Sequence, residues 1–581
     1  MRRRAAFLLV LAGCAHVGPA PVAHDRIARS DAAARLLLDV LGRFAPESLG
    51  ELGIAGLDAE VHDLKPRVDE RFREQMAPAI AALEARAAAE ADPYLAEDLA
   101  ILLTAARDYV RETELSDRYL LPYEDVGKLI FRGLHALLDD QVPPARRAAA
   151  RVRLRRYAGL EAGYAPLTQL AMDRTREQLG RAELLAPTRA QLDQTLASSA
   201  VYRRGIGDLL RRYGVAGYEP ALAELEQQLV AYDAFLRAEV LPRARADFRE
   251  PPELYAFQLH QLGVELPPAA LAVQARAAFA ETQREMQALA ARVAAERHLA
   301  ASDYREVLRA LKREQVGGDA LPALYRERIH DLEAIIRRER LVTLPARAMR
   351  FRVASAAETA SQPAPHVDAQ GLFARSAELS FVLPLTAAPS ANGQPQRYDD
   401  FTFAAASWTI SAHEGRPGHE LQFSSMAARG LSLARTLFAF NSVNVEGWGL
   451  YAEAIMRPFM PLEGRLVSLQ ALLWREARAF LDPGLQLGEV TLEEARRVLV
   501  QDVGLSEGMT TQELDRYTFN SPGQAVSYFY GYTRLLALRA DVERALGARF
   551  DAQRFHECVL AQGLLPPPLL RRAVEQALLP R

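Results

Sequence analysis

The sequence contains very little cysteine. Only Cys14 and Cys558 occur among the 581 residues, and there is no Cys-x-x-Cys pair. If Cys14 is modified during export, no internal disulfide remains, and a metal ion would have to be held by histidine and carboxylate side chains. The chain also lacks a Gly-x-Ser-x-Gly elbow, and Cys558 has no catalytic context in the sequence. Serine and cysteine hydrolase mechanisms therefore find little support.

The sequence also lacks an excess of positive charge. Its formal net charge is −3, and Arg2, Arg3 and Arg4 supply three of the positive charges. Without these three residues the mature chain carries −3 − 3 = −6. A basic binding surface is not expected, which argues against nucleic acid as a partner. Beyond the N-terminus, no apolar run is long enough to predict a transmembrane helix.

The N-terminus, MRRRAAFLLVLAGCAHVGPA, has the composition of an export signal. A basic start precedes a short apolar run at residues 5–12 that ends in small residues. Leu11-Ala12-Gly13-Cys14 resembles a bacterial lipobox, and the alternative is an ordinary cleaved signal with a cysteine nearby. We favour the lipobox, which predicts a signal peptide at 1–13, lipidation of Cys14 and a linker at 14–29. The protein is then expected to be a periplasmic or cell-surface lipoprotein, with the outer membrane as the expected membrane.

Helical periodicity dominates residues 30–343, where apolar residues recur at three- and four-residue spacing. The pattern changes between residues 344 and 400. Segments 349–353 and 378–383 are candidate strands, whereas SQPAPHVD and TAAPSANGQPQ are typical of loops. Helical periodicity resumes at Phe401 and continues to the C-terminus. We therefore predict a mainly α fold, with an N-terminal helical region at 30–343 and a catalytic region at 344–581.

The stretch HEGRPGH places His413 and His419 six residues apart. In a regular helix, such residues differ by about 120° and rise about 9 Å, so both imidazoles could hardly reach one ion. Zinc needs each ring nitrogen within about 2.1 Å. Pro417 and Gly418 lie between the histidines, and the helix would have to bulge there to align them. The alternative is a surface cluster of histidines beside a helix break.

A carboxylate on a following helix would complete a His₂Glu zinc site. Glu446 lies 27 residues after His419, in NVEGWGLYAE, and Glu453 lies seven residues further on nearly the same helix face. Glu453 could therefore orient a ligand, although two glutamates on a solvated face are the alternative. Farther along, Tyr528 and Tyr532 share a helix face. A tyrosine hydroxyl there could donate to an oxyanion, or both rings could belong to the core.

Together these segments resemble the bacterial domain of unknown function 885 family. The family pattern His-Glu-x-x-Pro-Gly-His, Glu-Gly-Trp-x-x-Tyr-x-Glu and Pro-Gly-Gln-x-x-x-Tyr-x-x-Gly occurs in order as HEGRPGH, EGWGLYAE and PGQAVSYFYG. The C-terminal RFHECVLAQGLLPPPLL is also similar, and the motif-bearing resemblance covers residues 251–570. One departure is Glu420, because the family often has another histidine at that position.

This family is similar to helical zinc peptidases of the gluzincin class, such as thimet oligopeptidase and carboxypeptidase Taq. The resemblance implies a large helical body with a deep channel and a small β-sheet at the cleft edge. It also implies one zinc ion bound by His413, His419 and Glu446, with Glu414 as the general base. The expected function is zinc-dependent hydrolysis of peptide bonds by an exported, lipid-anchored metallopeptidase.

The other candidate site residues have assisting roles. Tyr528 or Tyr532 would stabilise the oxyanion, and Glu453 and Gln422 would support the metal ligands. The candidates for substrate binding are Arg516, Arg534 and His556, although each arginine could instead form a structural salt bridge.

Two other functions remain open, namely a non-catalytic surface lipoprotein that binds peptides and a zinc hydrolase of non-peptide amides or esters. The intact Glu414 favours catalysis, because decayed enzymes commonly lose the base first. The sequence leaves open the oligomeric state and the choice between endo-, amino- and carboxypeptidase action.

Overall fold

The computed structural model describes residues 21–372, 379–386 and 398–579. Helices make up 70% of the structure, which confirms the predicted mainly α fold. The predicted signal peptide and Cys14 lie outside the described residues. The first helix begins at Pro21, inside the segment predicted as a linker, and proline is well suited to a first helical turn.

Fourteen helices span the described part of the chain up to residue 339. They are α1 (Pro21–Phe44), α2 (Pro46–Glu51), α3 (Val68–Ala89), α4 (Pro93–Tyr119), α5 (Val126–His135), α6 (Pro144–Arg147), α7 (Ala149–Tyr157), α8 (Leu167–Gln178), α9 (Arg189–Arg212), α10 (Glu219–Phe235), α11 (Pro252–Gln261), α12 (Pro268–Glu296), α13 (Tyr304–Lys312) and α14 (Ala320–Glu339). A π-helical turn, Leu236–Val240, and a 3₁₀ turn, Leu241–Arg243, follow α10. Asp303 caps α13, since its side chain accepts the backbone N–H of Arg305 at 2.9 Å.

The described residues contain one small sheet with the strand order β1-β3-β2. Its strands are β1 (Arg350–Val353), β2 (His366–Asp368) and β3 (Ser380–Leu383), and the short helix α15 (Ala356–Ser361) follows β1. β3 is parallel to β1 and antiparallel to β2, so Phe381 pairs with Phe351 on one side and Val367 on the other. All four β3 residues are buried, as a central strand requires.

The sequence predicted β1 and β3 but not β2. Residues 361–368, SQPAPHVD, were expected to form a loop because prolines occupy two of the eight positions. The structure corrects this prediction for the last three residues of the segment, His366–Asp368, which pair with β3 alone. Proline is tolerated just before an edge strand, since only one side of that strand needs hydrogen-bond partners.

The helices after the sheet carry the three sequence motifs. They are α16 (Ala404–Ile410), α17 (His419–Arg429), α18 (Ser442–Met456), α19 (Leu462–Gln486), α20 (Leu492–Arg497), α21 (Glu507–Asp515), α22 (Val526–Leu546), α23 (Ala552–Leu560) and α24 (Pro567–Leu578). Further π-helical turns occur at Ser411–Gly415, Ala434–Phe438, Val498–Val503 and Arg516–Asn520, and 3₁₀ turns at Arg457–Phe459 and Gly547–Arg549. α19 is buried along almost its whole length and forms the central helix of this region.

The two predicted regions pack into common cores. In one core, Leu37 and Leu102 of the N-terminal helices are buried with Tyr451 of α18. In another, Met286 of α12 is buried with Leu473 of α19. A third core is built mainly from α5 to α10, together with two alanines of α15. The boundary near residue 343 therefore marks a change of secondary structure rather than a separation of cores. Within the described residues, no helix has both the length and the apolar composition needed to span a bilayer.

Candidate metal centre

The HEGRPGH stretch is not one continuous helix. Ser411–Gly415 forms a wide π-helical turn, and after a short break α17 begins at His419. Gly418 is required in the break, because a Cβ there would lie 1.8 Å from the carbonyl oxygen of His413. The expected bulge thus takes the form of a π-turn followed by an interruption. This path removes the geometric objection to a pair formed by His413 and His419, whose ring centroids lie 4.7 Å apart.

His413, His419 and Glu446 direct three donor atoms toward a common point. Glu446 Oε2 lies 3.4 Å from Nε2 of His413 and 3.4 Å from Nε2 of His419. Ligand atoms around a tetrahedral zinc ion with bonds of about 2.1 Å are about 3.4 Å apart, so these separations fit that ion. Glu446 Oε2 is buried and accepts no hydrogen bond among the described residues. A cation is therefore the partner that suits this oxygen.

Glu453 fixes the orientation of His413. Its Oε1 lies 2.7 Å from His413 Nδ1, and its Oε2 accepts the hydroxyl hydrogen of Thr409 at 2.6 Å. Arg475 lies 3.5 Å from the same carboxylate. Burial raises the pKa of Glu453, but Arg475 and His413 outweigh burial and lower that pKa below its usual value. The ionised carboxylate holds the proton of His413 on Nδ1, which leaves the Nε2 lone pair for a metal ion.

α18 presents a glycine face to this site. Gly449 leaves room for the imidazoles, since a Cβ there would lie 2.7 Å from His413 Cε1 and 2.9 Å from His419 Cε1. Two residues earlier, Gly447 meets Gly531 of α22, and a Cβ on Gly447 would lie 2.6 Å from the Gly531 carbonyl carbon. The two helices therefore touch backbone to backbone beside the metal ligands.

Glu414 lies next to the ligands and lines the cavity in front of them. Its side chain is buried and accepts no hydrogen bond from the described residues. Burial raises the pKa of Glu414 to about 8, and the neighbouring Glu446 contributes to the increase. A divalent cation held by the three ligands would lower this pKa again.

Two adjoining cavities form the cleft. One has a volume of about 460 Å³ and is lined by Glu414, His419 and Glu446. The other, of about 570 Å³, is lined by apolar side chains such as Leu437 and Phe440 and by polar ones such as Arg132 and His135. Both cavities are bordered by His366 and Val367 of β2 and by Phe423. The small sheet thus lies at the edge of the cleft.

Tyr528 lines the same cavity as Glu414. Its ring stacks on the His413 ring with centroids 6.1 Å apart, and the Arg478 guanidinium carbon lies 4.4 Å from the centre of the Tyr528 ring. Arg516 Nη1 lies 3.5 Å from the hydroxyl oxygen of Tyr528. Burial raises the pKa of Tyr528, so the hydroxyl keeps its proton at neutral pH. Gln524 lines the same cavity and reaches toward Glu446 Oε1, at 3.4 Å.

Comparisons with known proteins identify the family of the chain. A family model described as "Bacterial protein of unknown function (DUF885)" matches residues 46–574. The chain belongs to this family. A search of curated proteins finds no match.

Two solved structures have the same fold as this DUF885 chain. A "putative lipoprotein" from Colwellia psychrerythraea matches with a TM-score of 0.75 and 20% identity, covering 95% of this chain and 99% of that one. A "putative lipoprotein of unknown function" from Shewanella oneidensis matches with a TM-score of 0.69 and 17% identity, covering 94% of this chain and 99% of that one.

Four residues singled out in the DUF885 sequence, Gln422, Tyr532, Arg534 and His556, make no hydrogen bond to His413, His419 or Glu446 among the described residues. Gln422 donates to Asn444 at 3.1 Å rather than to a ligand. Tyr532 packs against the core that contains Tyr451, whereas Tyr528 lines the metal cavity. Arg534 lines a separate cavity of about 230 Å³.

His556 is buried behind α18 and takes part in a polar network. Its Nδ1 donates to the Leu341 carbonyl at 2.8 Å, and its Nε2 lies 2.8 Å from the Tyr451 hydroxyl. Both ring nitrogens of His556 thus already have hydrogen-bond partners within the protein. Tyr528 and Arg516, in contrast, line the cavity in front of the candidate ligands.

A second acidic cluster in the DUF885 chain has a different character. His135, Asp139 and Glu358 also bring donor atoms within 4.8 Å of one another. Arg352 enters this cluster, with Nη1 2.6 Å from Glu358 and Nη2 3.1 Å from Asp368. A guanidinium already neutralises these carboxylates, so the cluster is an ion-pair network rather than a metal site.

Several residues of the centre were missed in the sequence. Thr409 lies four residues before His413, so its position on the same helix face could have been inferred. Gly449 lies inside a predicted helix, and an interior glycine is a signal of close approach. Arg475 and Arg478 carry no such local signal, because they reach the site from α19 only through tertiary packing.

Proposed function

We propose that this DUF885 chain is a zinc-dependent peptidase. The observation that supports the proposal is the meeting of His413, His419 and Glu446 with Glu414 and Tyr528 at one cavity. Three protein ligands leave a fourth position open, which is typical of catalytic rather than structural zinc. When bound, zinc supplies Lewis acidity and lowers the pKa of a water molecule at the site.

Glu414 is the residue that moves protons. Its carboxylate is not occupied by any hydrogen bond among the described residues, so it can accept a proton from the attacking water. Glu414 then gives that proton to the nitrogen of the leaving amine. Glu414 must be ionised to act as a base, and its carboxylate would be ionised at neutral pH once the positive charge of a bound cation lowered its pKa.

Tyr528 donates a hydrogen bond to the oxyanion that develops on the peptide carbonyl. The ring packs against both His413 and Arg478, which restrict its orientation before substrate binds. Arg516 adds positive charge beside that hydroxyl. Donors of this kind contribute about 10²–10³ to kcat.

Export and lipidation belong to the same proposal. The N-terminal sequence has a lipobox-like segment that ends at Cys14, and two proteins with this fold are described as lipoproteins with the qualification "putative". We propose that a lipid on Cys14 tethers the enzyme to the periplasmic or outer surface of the cell, with the outer membrane expected. Its substrates would then be peptides outside the cytoplasm.

Zinc content and hydrolysis of a mixed peptide library test the proposal. The purified mature chain is expected to hold one zinc ion and to cleave peptides, and Glu414→Gln is expected to keep the zinc but lose cleavage. A wild type without zinc, or a Glu414→Gln variant that cleaves equally well, would contradict the mechanism. Peptides that bind without being cleaved would favour the binding lipoprotein, and parallel amide and ester substrates test the non-peptide hydrolase.

A further inference from the structure

Lys128 brings a positive charge from the N-terminal region into the metal cavity. It lies on α5 and lines the 460 Å³ cavity together with Glu414, His419 and Glu446. One turn later on α5, Arg132 lines the adjoining cavity. α5 therefore runs along the side of the cleft and presents one cation to each cavity.

The ammonium group of Lys128 has no ion-pair or hydrogen-bond partner among the described residues. Asp125 is near, but its Oδ1 caps α5 by accepting the Lys128 backbone N–H at 3.0 Å, and its Oδ2 receives the Thr195 hydroxyl at 3.4 Å. Burial lowers the pKa of Lys128, the negative charge of Asp125 offsets part of this decrease, and Arg132 lowers the pKa further. A half-buried ammonium without a partner is unfavourable, so an anionic ligand complements this position.

Apart from Glu414 and the candidate metal ligands, the other charged groups on the same cavity have partners within the protein. Arg516 donates to Gln524 at 3.0 Å and lies 3.6 Å from Glu513. The Asp515 carboxylate accepts a hydrogen bond from Gln194 at 3.1 Å. Lys128 therefore differs from Arg516, the other cation that lines the described part of this cavity.

We propose that Lys128 binds a carboxylate of the peptide substrate and makes negative charge near the cleaved bond a determinant of specificity. This inference rests on the proposed peptidase function. The carboxylate can be the C-terminal α-carboxylate or the side chain of an aspartate or glutamate residue, since both present the same group to the ammonium. A cavity of about 460 Å³ is within the range of about 300–1,000 Å³ that holds small ligands, so the substrate part near Lys128 is a short peptide segment.

Binding of three kinds of matched peptide tests the inference. The probes are N-acetyl-tetraalanine as the free acid, the same peptide as the C-terminal amide, and a set of amides with aspartate at each position. Calorimetric titration into zinc-loaded Glu414→Gln protein measures binding without turnover. The free acid is expected to bind about tenfold more tightly than the amide, a difference of about 1.4 kcal/mol.

Variants at Lys128 isolate the charge. Lys128→Met is expected to weaken binding of the free acid to the level of the amide and leave the amide unchanged, whereas Lys128→Arg retains most of the difference. Lys65→Met, at an exposed lysine elsewhere, is the matched control and should have no effect. In the wild-type enzyme the Lys128→Met loss should appear mainly in KM. If one aspartyl amide binds more tightly than the unsubstituted amide, and Lys128→Met abolishes the difference, the bound carboxylate is that of the aspartate side chain.

Several results would overturn the inference: free acid and all aspartyl amides binding no more tightly than the unsubstituted amide, equal weakening of all probes by Lys128→Met, or no binding of any probe. Hydrolysis that does not depend on Lys128 would reject the role of Lys128 in binding a carboxylate but would still support the peptidase function. Lys128-dependent binding without any hydrolysis would reject the peptidase function and leave the carboxylate site standing.

The small number of lysines offers a direct readout. The chain has only Lys65, Lys128 and Lys312, and Lys312 is buried between Asp399 and Asp400. Reductive ¹³C-methylation keeps the charge and gives a methyl resonance for each accessible lysine. Addition of the free acid is expected to shift the Lys128 resonance and leave that of Lys65 in place. A Lys128 resonance unmoved by saturating free acid would contradict direct contact.

Discussion

Substitution of Gly449 by alanine should damage the metal centre while improving the helix around it. The new Cβ would lie 2.7 Å from His413 Cε1, 2.9 Å from His413 Nε2 and 2.9 Å from His419 Cε1, whereas ordinary contact begins at 3.4 Å. The largest shortfall is 3.4 − 2.7 = 0.7 Å. Zinc ligands tolerate deviations of only about 0.2 Å, so the imidazoles would be pushed out of a productive arrangement.

Zinc affinity is expected to fall strongly, whereas the stability of the metal-free protein is expected to change little. We expect zinc affinity to fall by at least the roughly 10–100-fold that follows loss of a supporting contact around a metal ligand. In the metal-free protein, alanine should recover about 1 kcal/mol of helix propensity, and overpacking should cost about 1–3 kcal/mol. The free energy of unfolding of the metal-free protein should therefore fall by no more than about 2 kcal/mol.

Competition against a fluorescent zinc chelator measures the affinity, and denaturant unfolding in the presence of a chelator measures the metal-free stability. Gly207→Ala in α9 is the matched control, because its Cβ would make only an ordinary contact of 3.6 Å with Leu222. This control should keep zinc affinity and gain up to about 1 kcal/mol in stability. A Gly449→Ala protein that binds zinc within twofold of wild type would refute the assignment of the ligands.

Three other outcomes are expected. Glu453→Gln should weaken zinc binding by about 10–100-fold in the chelator competition assay, because the neutral amide no longer holds the proton of His413 on Nδ1. Unchanged zinc affinity would contradict that role of Glu453. Tyr528→Phe should lower kcat by about 10²–10³-fold at constant zinc content, whereas Tyr532→Phe should change kcat little. A larger loss of kcat in Tyr532→Phe than in Tyr528→Phe would make Tyr532 the oxyanion donor. Burial lowers the pKa of His556 from 6.5 to about 4, so its contribution to stability is complete above pH 6.5 and is lost as the pH falls toward 4. His556→Gln should therefore flatten the decline of unfolding free energy over that range, by up to about 3 kcal/mol, and an unchanged pH profile would contradict it.

The sequence predicted the parts of the centre that depend on residue identity and spacing along one chain. The interruption around Pro417 and Gly418 was predictable because a regular helix cannot bring His413 and His419 together. The link between Glu453 and His413 was expected in kind, although its length and its second partner, Thr409, became visible only in three dimensions.

The remaining parts depend on packing between distant segments. Arg475 reaches Glu453 from α19, and Lys128 enters the cavity from a helix nearly 300 residues before the first ligand. β2 was hidden because three residues after a proline-containing segment give almost no strand signal of their own. Tyr528 and Tyr532 lie four residues apart on one helix face, so the sequence does not distinguish them. Only the packing of α22 against α18 decides that Tyr528 lines the cavity and that Tyr532 packs against the core.

The contact of Gly447 with Gly531 has a consequence for how the cleft can open. Because α18 and α22 meet without an intervening layer of side chains, they have no deformable layer along which to slide. Glu446 and Tyr528 therefore travel together as one rigid block. We expect any motion that admits a substrate to separate this block from α5 and β2. Glu446 and Tyr528 would keep their relative positions during this motion, and α5, which carries Lys128, would be the part that moves.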